Sequence, residues 1–179
     1  MGAQINQEPQ IVVLPLKENG FFPNNETLPV LIYKQIFILE GSDPAGIIEK
    51  LLMKNNWGGS WRNGIYDYHH YHSTAHEVLG VYSGWAEVEL GGPGMNPLKI
   101  EKGDLVVLPA GTAHKRRKSG DGFAVVGAYP DKQKYDMNYG KEDEYEISKV
   151  NIQKVPLPAN DPVFGKNGEI KSLWNYRNQ

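Results

Sequence analysis

His70, His72, Glu77 and His114 are spaced so that three imidazoles and one carboxylate can close around a single metal ion. They fall in two glycine-bracketed blocks, Gly64 to Gly84 and Gly103 to Arg117, each of which reads as a strand, a tight turn and a further strand. Residues two apart on a strand share a face, so His70 and His72 project together. Ser73, Thr74 and Ala75 then form a turn, and Glu77 opens an apolar run that returns antiparallel, bringing its carboxylate beside the two imidazoles. Pro109 and Gly111 bend the chain sharply before His114, which supplies a fourth donor. Imidazole nitrogen with one carboxylate suits divalent Fe, Mn, Ni, Co or Zn, and four such donors leave an octahedral ion with positions open to water, substrate or O₂.

Neighbouring side chains take different roles. His69 and His76 alternate out of phase with the ligands, which gives His69 an outward, structural place. His76 becomes a hydrogen-bonding neighbour of the ligands or an idle ring, unless a bulge turns it inward. In the basic run Lys115-Arg116-Arg117-Lys118, a regular strand puts Arg116 and Lys118 on the face of His114 and turns Lys115 and Arg117 out. An inward Arg116 would clamp a carboxylate or phosphate, although charge runs at strand ends are usually solvated. Tyr66 and Tyr68 share the ligand face, where their phenols can meet a substrate oxygen or simply fill the barrel. Trp57 and Trp61 lie in a glycine-bearing loop, either covering a cavity mouth or packed against a helix.

The elements that must position these groups are mostly strands. Apolar runs at Ile11 to Leu16 and Leu31 to Leu39 read as strands joined by a Phe22-Pro23-Asn24-Asn25 loop. Asp43-Pro44 starts a helix whose Ile47, Ile48, Leu51 and Leu52 form one stripe ending at Asn55-Asn56, suited to covering an outer sheet face. From Val78 onward short runs alternate with turn signals such as Ser83-Gly84, Gly91 to Gly94 and Gly120 to Gly122, the pattern of an all-β fold. Leu105 to Leu108 and Phe123 to Val126 look buried on both faces. Lys141 to Glu146 reads as a solvated loop or helix turn, Ile147 to Val155 as one more strand, and Pro156 to Gly168 as a surface loop.

A chain of 179 residues fits one domain. We divide it into strands and a helix at 1–60, a core carrying both blocks at 61–132 and an extension at 133–179 that completes the domain. A formal charge of −2 offers no broad basic field for nucleic acid, and no apolar run reaches the length of a membrane span. The absence of cysteine excludes disulfides, thiolate ligands and a thiol nucleophile, and the opening MGAQINQEPQ has neither a signal-peptide core nor an acylation pattern, so a cytoplasmic address is expected. Nucleophile-elbow, zinc-protease helix, Walker and dinucleotide motifs are all missing.

Position for position the two blocks match G-x5-H-x-H-x4-E-x6-G and G-x5-P-x-G-x2-H-x3-N, and the chain is thereby identified as resembling the cupin superfamily of RmlC-like jelly rolls. Lys118 departs from the pattern where that family usually has Asn. YHSTAHEVLG, PAGTAHKR and VVGAYP further resemble its YjlB-like branch. The resemblance implies a single-domain double-stranded β-helix with the metal inside the barrel, one short N-terminal helix, flanking extensions and a homodimer. Three functional classes stay open: a dioxygenase-like or isomerase/lyase enzyme acting on a small oxygen-rich molecule, anionic if Arg116 clamps it, a metal-bearing binding or sensing protein, and a storage barrel stapled by its metal. The first is favoured by the complete ligand set.

Overall fold

A computed structural model describes residues 4–131 and 133–174 of the chain. Part of the opening decapeptide, residues 1–3, and the end of the C-terminal extension, residues 175–179, lie outside the described residues. The all-β class and the jelly-roll winding implied by the resemblance are what is observed. Strand β1 (Gln4–Ile5) forms a small separate pair with β4 (Phe37–Ile38). The main sheet contains β2 (Gln10–Leu14), β3 (Val30–Lys34), β5 (Trp57–Asn63), β6 (Glu77–Leu90), β7 (Leu98–Glu101), β8 (Leu105–Leu108) and β9 (His114–Pro130). Its order is β2-β3-β8-β6-β9-β5 with β7 also on β6, and every pairing is antiparallel.

Both faces of this sheet are buried, and the two-residue period of the strands sorts side chains between them. Leu31, Tyr33, Val78, Leu105 and Val107 join an outer core, whereas Val30, Ile32, Leu79, Val106 and Leu108 fill the barrel interior. Helix α1 (Pro44–Lys54) covers the outer face with Ala45, Ile48 and Leu52, as its stripe predicts. It starts where Asp43 accepts from the Gly46 N–H at 3.0 Å, with Pro44 following the cap. Gly80 of β6 lets the helix lie close, since a Cβ there would come within 2.8 Å of Ile48. Among the described residues no helix is long and apolar enough to cross a membrane.

Several expectations are corrected. Trp57 and Trp61 belong to strand β5, not to a loop. Trp57 is buried in the outer core and donates to the Asn160 carbonyl at 3.0 Å. Ile147 to Val155 is no strand: Glu142–Lys154 forms helix α2. Its acidic first turn favours the positive helix end, and Glu144 accepts from the N–H groups of Lys141 (3.0 Å) and Tyr139 (2.8 Å), fixing the helix start ahead of the apolar residues. Pro156 to Gly168 is less superficial than expected, because Asp161 and Val163 are buried in it. A short helix α3 (Ile170–Leu173) follows, and its N-terminal Ile170 donates to the Asp161 carboxylate at 3.2 Å.

Candidate metal centre

The segment before β6 reaches the site without becoming a regular strand. His70 and His114 exchange backbone hydrogen bonds (3.3 and 3.0 Å), Tyr71 pairs with Asn138, and the Gly111 N–H donates to the His72 carbonyl at 2.7 Å. These isolated bridges still set His70 and His72 on the barrel side, beside Glu77 at the start of β6 and His114 at the start of β9. Gly111 holds φ +94°, and a Cβ there would come within 2.6 Å of the Asn24 carbonyl oxygen, so this turn needs glycine. Two loop asparagines brace it: Asn25 donates to the Ala110 carbonyl, and Asn24 accepts from the Ala113 N–H, each at 3.0 Å.

The four expected ligands converge. One ring nitrogen from each of His70, His72 and His114 lies within 4.8 Å of the others, and all three residues are buried. Glu77 Oε2 is 3.5 Å from His72 Nε2 and 3.4 Å from His114 Nε2. Each imidazole turns its other nitrogen, Nδ1, to a backbone carbonyl: Tyr68 at 3.2 Å, Asp136 at 2.5 Å and Thr112 at 3.0 Å. A carbonyl can only accept, so Nδ1 carries the proton and Nε2 presents a lone pair to the centre. Glu77 Oε1 accepts from the Tyr129 hydroxyl at 3.0 Å, while Oε2 is buried without a hydrogen-bond partner. Lone pairs facing a carboxylate oxygen at about 3.5 Å are repulsive unless a cation or a proton lies among them. The donor set therefore fits a divalent transition ion.

Titration behaviour follows from the same geometry. Burial lowers the pKa of His70 and, together with the charge of His70, drives His114 down to about 3. For His72 burial pulls the same way, but the charge of the nearby Glu77 carboxylate outweighs it and the pKa rises. Burial works against ionised Glu77, yet the charges of His72 and His114 and the hydrogen bond from the Tyr129 hydroxyl hold its pKa below the ordinary carboxylate value.

Other expected groups divide. Tyr66 lines the cavity above the ligands; Tyr68 does not, and instead stacks on Tyr66 (4.9 Å between ring centroids). Arg116 requires correction. It follows His114 on the same strand face, paired with Val88, but its Nε donates to the Ile65 carbonyl at 3.0 Å and its guanidinium reaches Ser119, so it holds the ligand-bearing segment and lines no part of the metal cavity. A bulge opposite Glu87 and Val88 then reverses the phase, which leaves Lys118 exposed near Glu87 (3.7 Å). His69 faces away from the centre to Glu89 (3.4 Å). His76 is no ligand: its buried ring packs on Trp174, and Nδ1 accepts from the Ala110 N–H at 2.9 Å, holding the turn ahead of His114.

The cavity has a volume of about 340 Å³ and opens to solvent above the four donors, with walls that include Trp61, Leu79, Tyr129, Tyr135 and Met137. Of these walls only Trp61 is among the residues that the sequence singles out. Tyr129 is found only through the β6–β9 register, which brings the end of β9 beside the start of β6. Tyr135 and Met137 come from the segment after β9, which folds back on the first block. Asp136 between them accepts from His72 at its carbonyl and from the Ser73 N–H (2.6 Å) and hydroxyl at its carboxylate. No local signal marks these residues, because their role depends on where the chain returns.

No family model matches the chain. The Bacillus subtilis (strain 168) "Uncharacterized protein YjlB" is 35% identical over 170 residues, which cover 95% of this chain and 99% of that one. Among solved structures, a DUF861 family protein from Thermotoga maritima is 26% identical, covering 50% of this chain and 92% of that one with a TM-score of 0.31. Procruciferin, an 11S globulin from Brassica napus, is 16% identical with a TM-score of 0.35; the match covers 72% of this chain and only 27% of that much longer one.

Proposed function

We propose that this chain, which belongs to the YjlB family of cupins, is a metal-dependent enzyme that acts on a small molecule bound at the cavity floor. One observation carries the reading: three Nε2 lone pairs and an unpartnered carboxylate oxygen meet at the bottom of a cavity open to solvent. A storage barrel stapled by its metal needs the ligands but has no use for the cavity. A bound Fe, Mn, Ni, Co or Zn ion supplies Lewis-acid polarisation of a ligand oxygen or, for the redox-active metals, chemistry with O₂. We place the reaction among dioxygenase-like and isomerase or lyase chemistries.

The protein's own contribution is placement of the donors and of their neighbours. Three backbone carbonyls hold the Nδ1 protons and so fix each ring's tautomer and orientation. Tyr129 keeps its proton, because burial and the nearby Glu77 charge both disfavour phenolate, and directs it at Glu77 Oε1. Trp61 Nε1 donates to the same phenol oxygen at 2.9 Å, closing a chain from the wall to the ligand set. Leu79 and Met137 set apolar side chains in the cavity wall beside the donors.

Metal analysis of protein purified without chelator, followed by oxygen-electrode assays of the Fe(II) form against small organic acids, sugars and phenols, tests the reading. Stoichiometric metal with substrate-dependent O₂ uptake supports a dioxygenase, and turnover without O₂ an isomerase or lyase. Protein that retains no transition metal refutes the proposal. We further propose a cytoplasmic homodimer, for which β2, an edge strand among the described residues with Val13 exposed, is a candidate contact to be checked by sedimentation.

A further inference from the structure

We propose that the cavity selects a planar aromatic ligand with two adjacent oxygen donors, a catechol-class molecule, over sugars and polycarboxylates. This deepens the metal-centre reading above and rests on it. Arg62 is the one Lys or Arg among the described residues that line the cavity, and its guanidinium is already spent: it pairs with both oxygens of Glu49 (2.9 and 2.7 Å) and with Asp43 (3.1 Å). Arg116, the other candidate clamp, is bound to the Ile65 carbonyl outside the cavity. A second carboxylate on a ligand would therefore meet no free cation, and the buried Glu77 charge lies beneath it.

Sugars fail on a different count. The side-chain polar groups left on the walls are the hydroxyls of Tyr66 and Tyr135 and the amide of Asn63, whose oxygen already accepts from the Gly64 N–H at 2.8 Å. Tyr129 is committed to Glu77 and Trp61, and Leu79 and Met137 offer nothing to a hydroxyl. A polyol would leave several hydroxyls buried and unpaired. Rings, by contrast, are abundant. Tyr135 lies nearly parallel to Tyr129 (4.7 Å, 21°) and is half exposed, and Tyr66, backed by its stack on Tyr68, also lines the cavity at 46% exposure. Planar π-faces of this kind hold an aromatic ring by stacking. Two vicinal oxygens match in number the positions that an octahedral ion keeps beyond four protein donors. At 340 Å³ the space is at the small end for ligand pockets, suited to one ring with a short substituent.

The test uses the Zn(II)-loaded full chain under argon, so that binding is read without turnover. 4-Nitrocatechol is titrated by its visible absorption, which shifts when both oxygens reach the metal, and D-glucose and malonate are titrated by calorimetry. The expected result is a shift absent from metal-free protein and an affinity at least tenfold above either competitor. Tyr135→Leu and Tyr66→Leu should each weaken 4-nitrocatechol about threefold to tenfold, the range of one aromatic contact, with zinc content unchanged. Tighter binding of glucose or malonate, or a nitrocatechol affinity indifferent to both substitutions, overturns the ligand class while leaving the metal centre intact. Failure to take up zinc overturns the metal centre itself, and the two failures are told apart by metal content.

Discussion

Replacing Tyr129 with Phe removes a single oxygen that serves two partners: it donates to Glu77 Oε1 at 3.0 Å and accepts from Trp61 Nε1 at 2.9 Å. Glu77 keeps its position in β6 but loses the proton that fixes its rotation and neutralises part of its charge. A hydrogen bond to a charged acceptor is worth about 1.5–3 kcal/mol, and loss of a partner behind a metal ligand typically costs about 10–100-fold in affinity; at about 1.4 kcal/mol per decade the two figures agree. Tyr129→Phe should therefore weaken Zn(II) or Co(II) by about one to two orders of magnitude with all four ligands still in place. Chelator-competition titration reads this directly, and the metal-dependent rise in melting temperature should shrink in parallel. His69→Ala is the control, since His69 faces Glu89 and lies away from the centre. An affinity within twofold of the parent would show that the phenol does not orient the carboxylate, and the chain from Trp61 to Glu77 would lose its functional meaning.

Three further outcomes follow from the same contacts. His72→Ala and Glu77→Ala should each strip most of the metal from protein purified without chelator, whereas His69→Ala keeps it; the reverse ranking by metal analysis would contradict the assignment of donors. His76 is buried and neutral, with its pKa lowered to about 3 by burial, so the unfolded chain binds the extra proton first. Its contribution to stability is complete above the unfolded value near 6.5 and disappears as pH falls toward 3, at a slope of up to about 1.4 kcal/mol per pH unit. Urea unfolding of His76→Gln across that window should show a flatter dependence, and parallel curves would refute the sign. Asp161, fully buried, accepts from Tyr33 (2.6 Å) and from the N–H groups of Val163, Phe164 and Ile170 (2.8, 2.9 and 3.2 Å). Asp161→Ala should cost about 3–5 kcal/mol in urea denaturation, because it orphans buried donors, with metal affinity of the folded protein unchanged.

What the sequence made legible was local. His70, His72, Glu77 and His114 could be named because strand period and glycine turns fix their directions within a few residues of each, and α1 because its cap and stripe are contiguous. Regions that depend on distant partners were not readable in the same way. Arg116 has the face its spacing predicts, yet the Ile65 carbonyl, brought up by the preceding segment, takes the guanidinium that would otherwise enter the cavity. Lys118 was misplaced by one extra residue in β9, which no local pattern announces. Ile147 to Val155 has apolar residues that fit a strand, but the acidic turn ahead of them nucleates a helix that leaves Ile147 and Val150 exposed. Tyr129 and Tyr135 acquire their roles from strand register and chain reversal, both set by contacts many residues apart.

The return of the chain at Asp136 sets an order of events during synthesis. All four donors have been made by the time the ribosome completes β9, but the carbonyl that fixes His72 and the carboxylate that ties down Ser73 come later, and Asn138 must still pair with Tyr71. A nascent chain halted at Pro130 would hold all four candidate donors and still lack the carbonyl that orients His72. The orientation of His72 thus arrives only with the residues made after β9, once every strand of the main sheet has been synthesised.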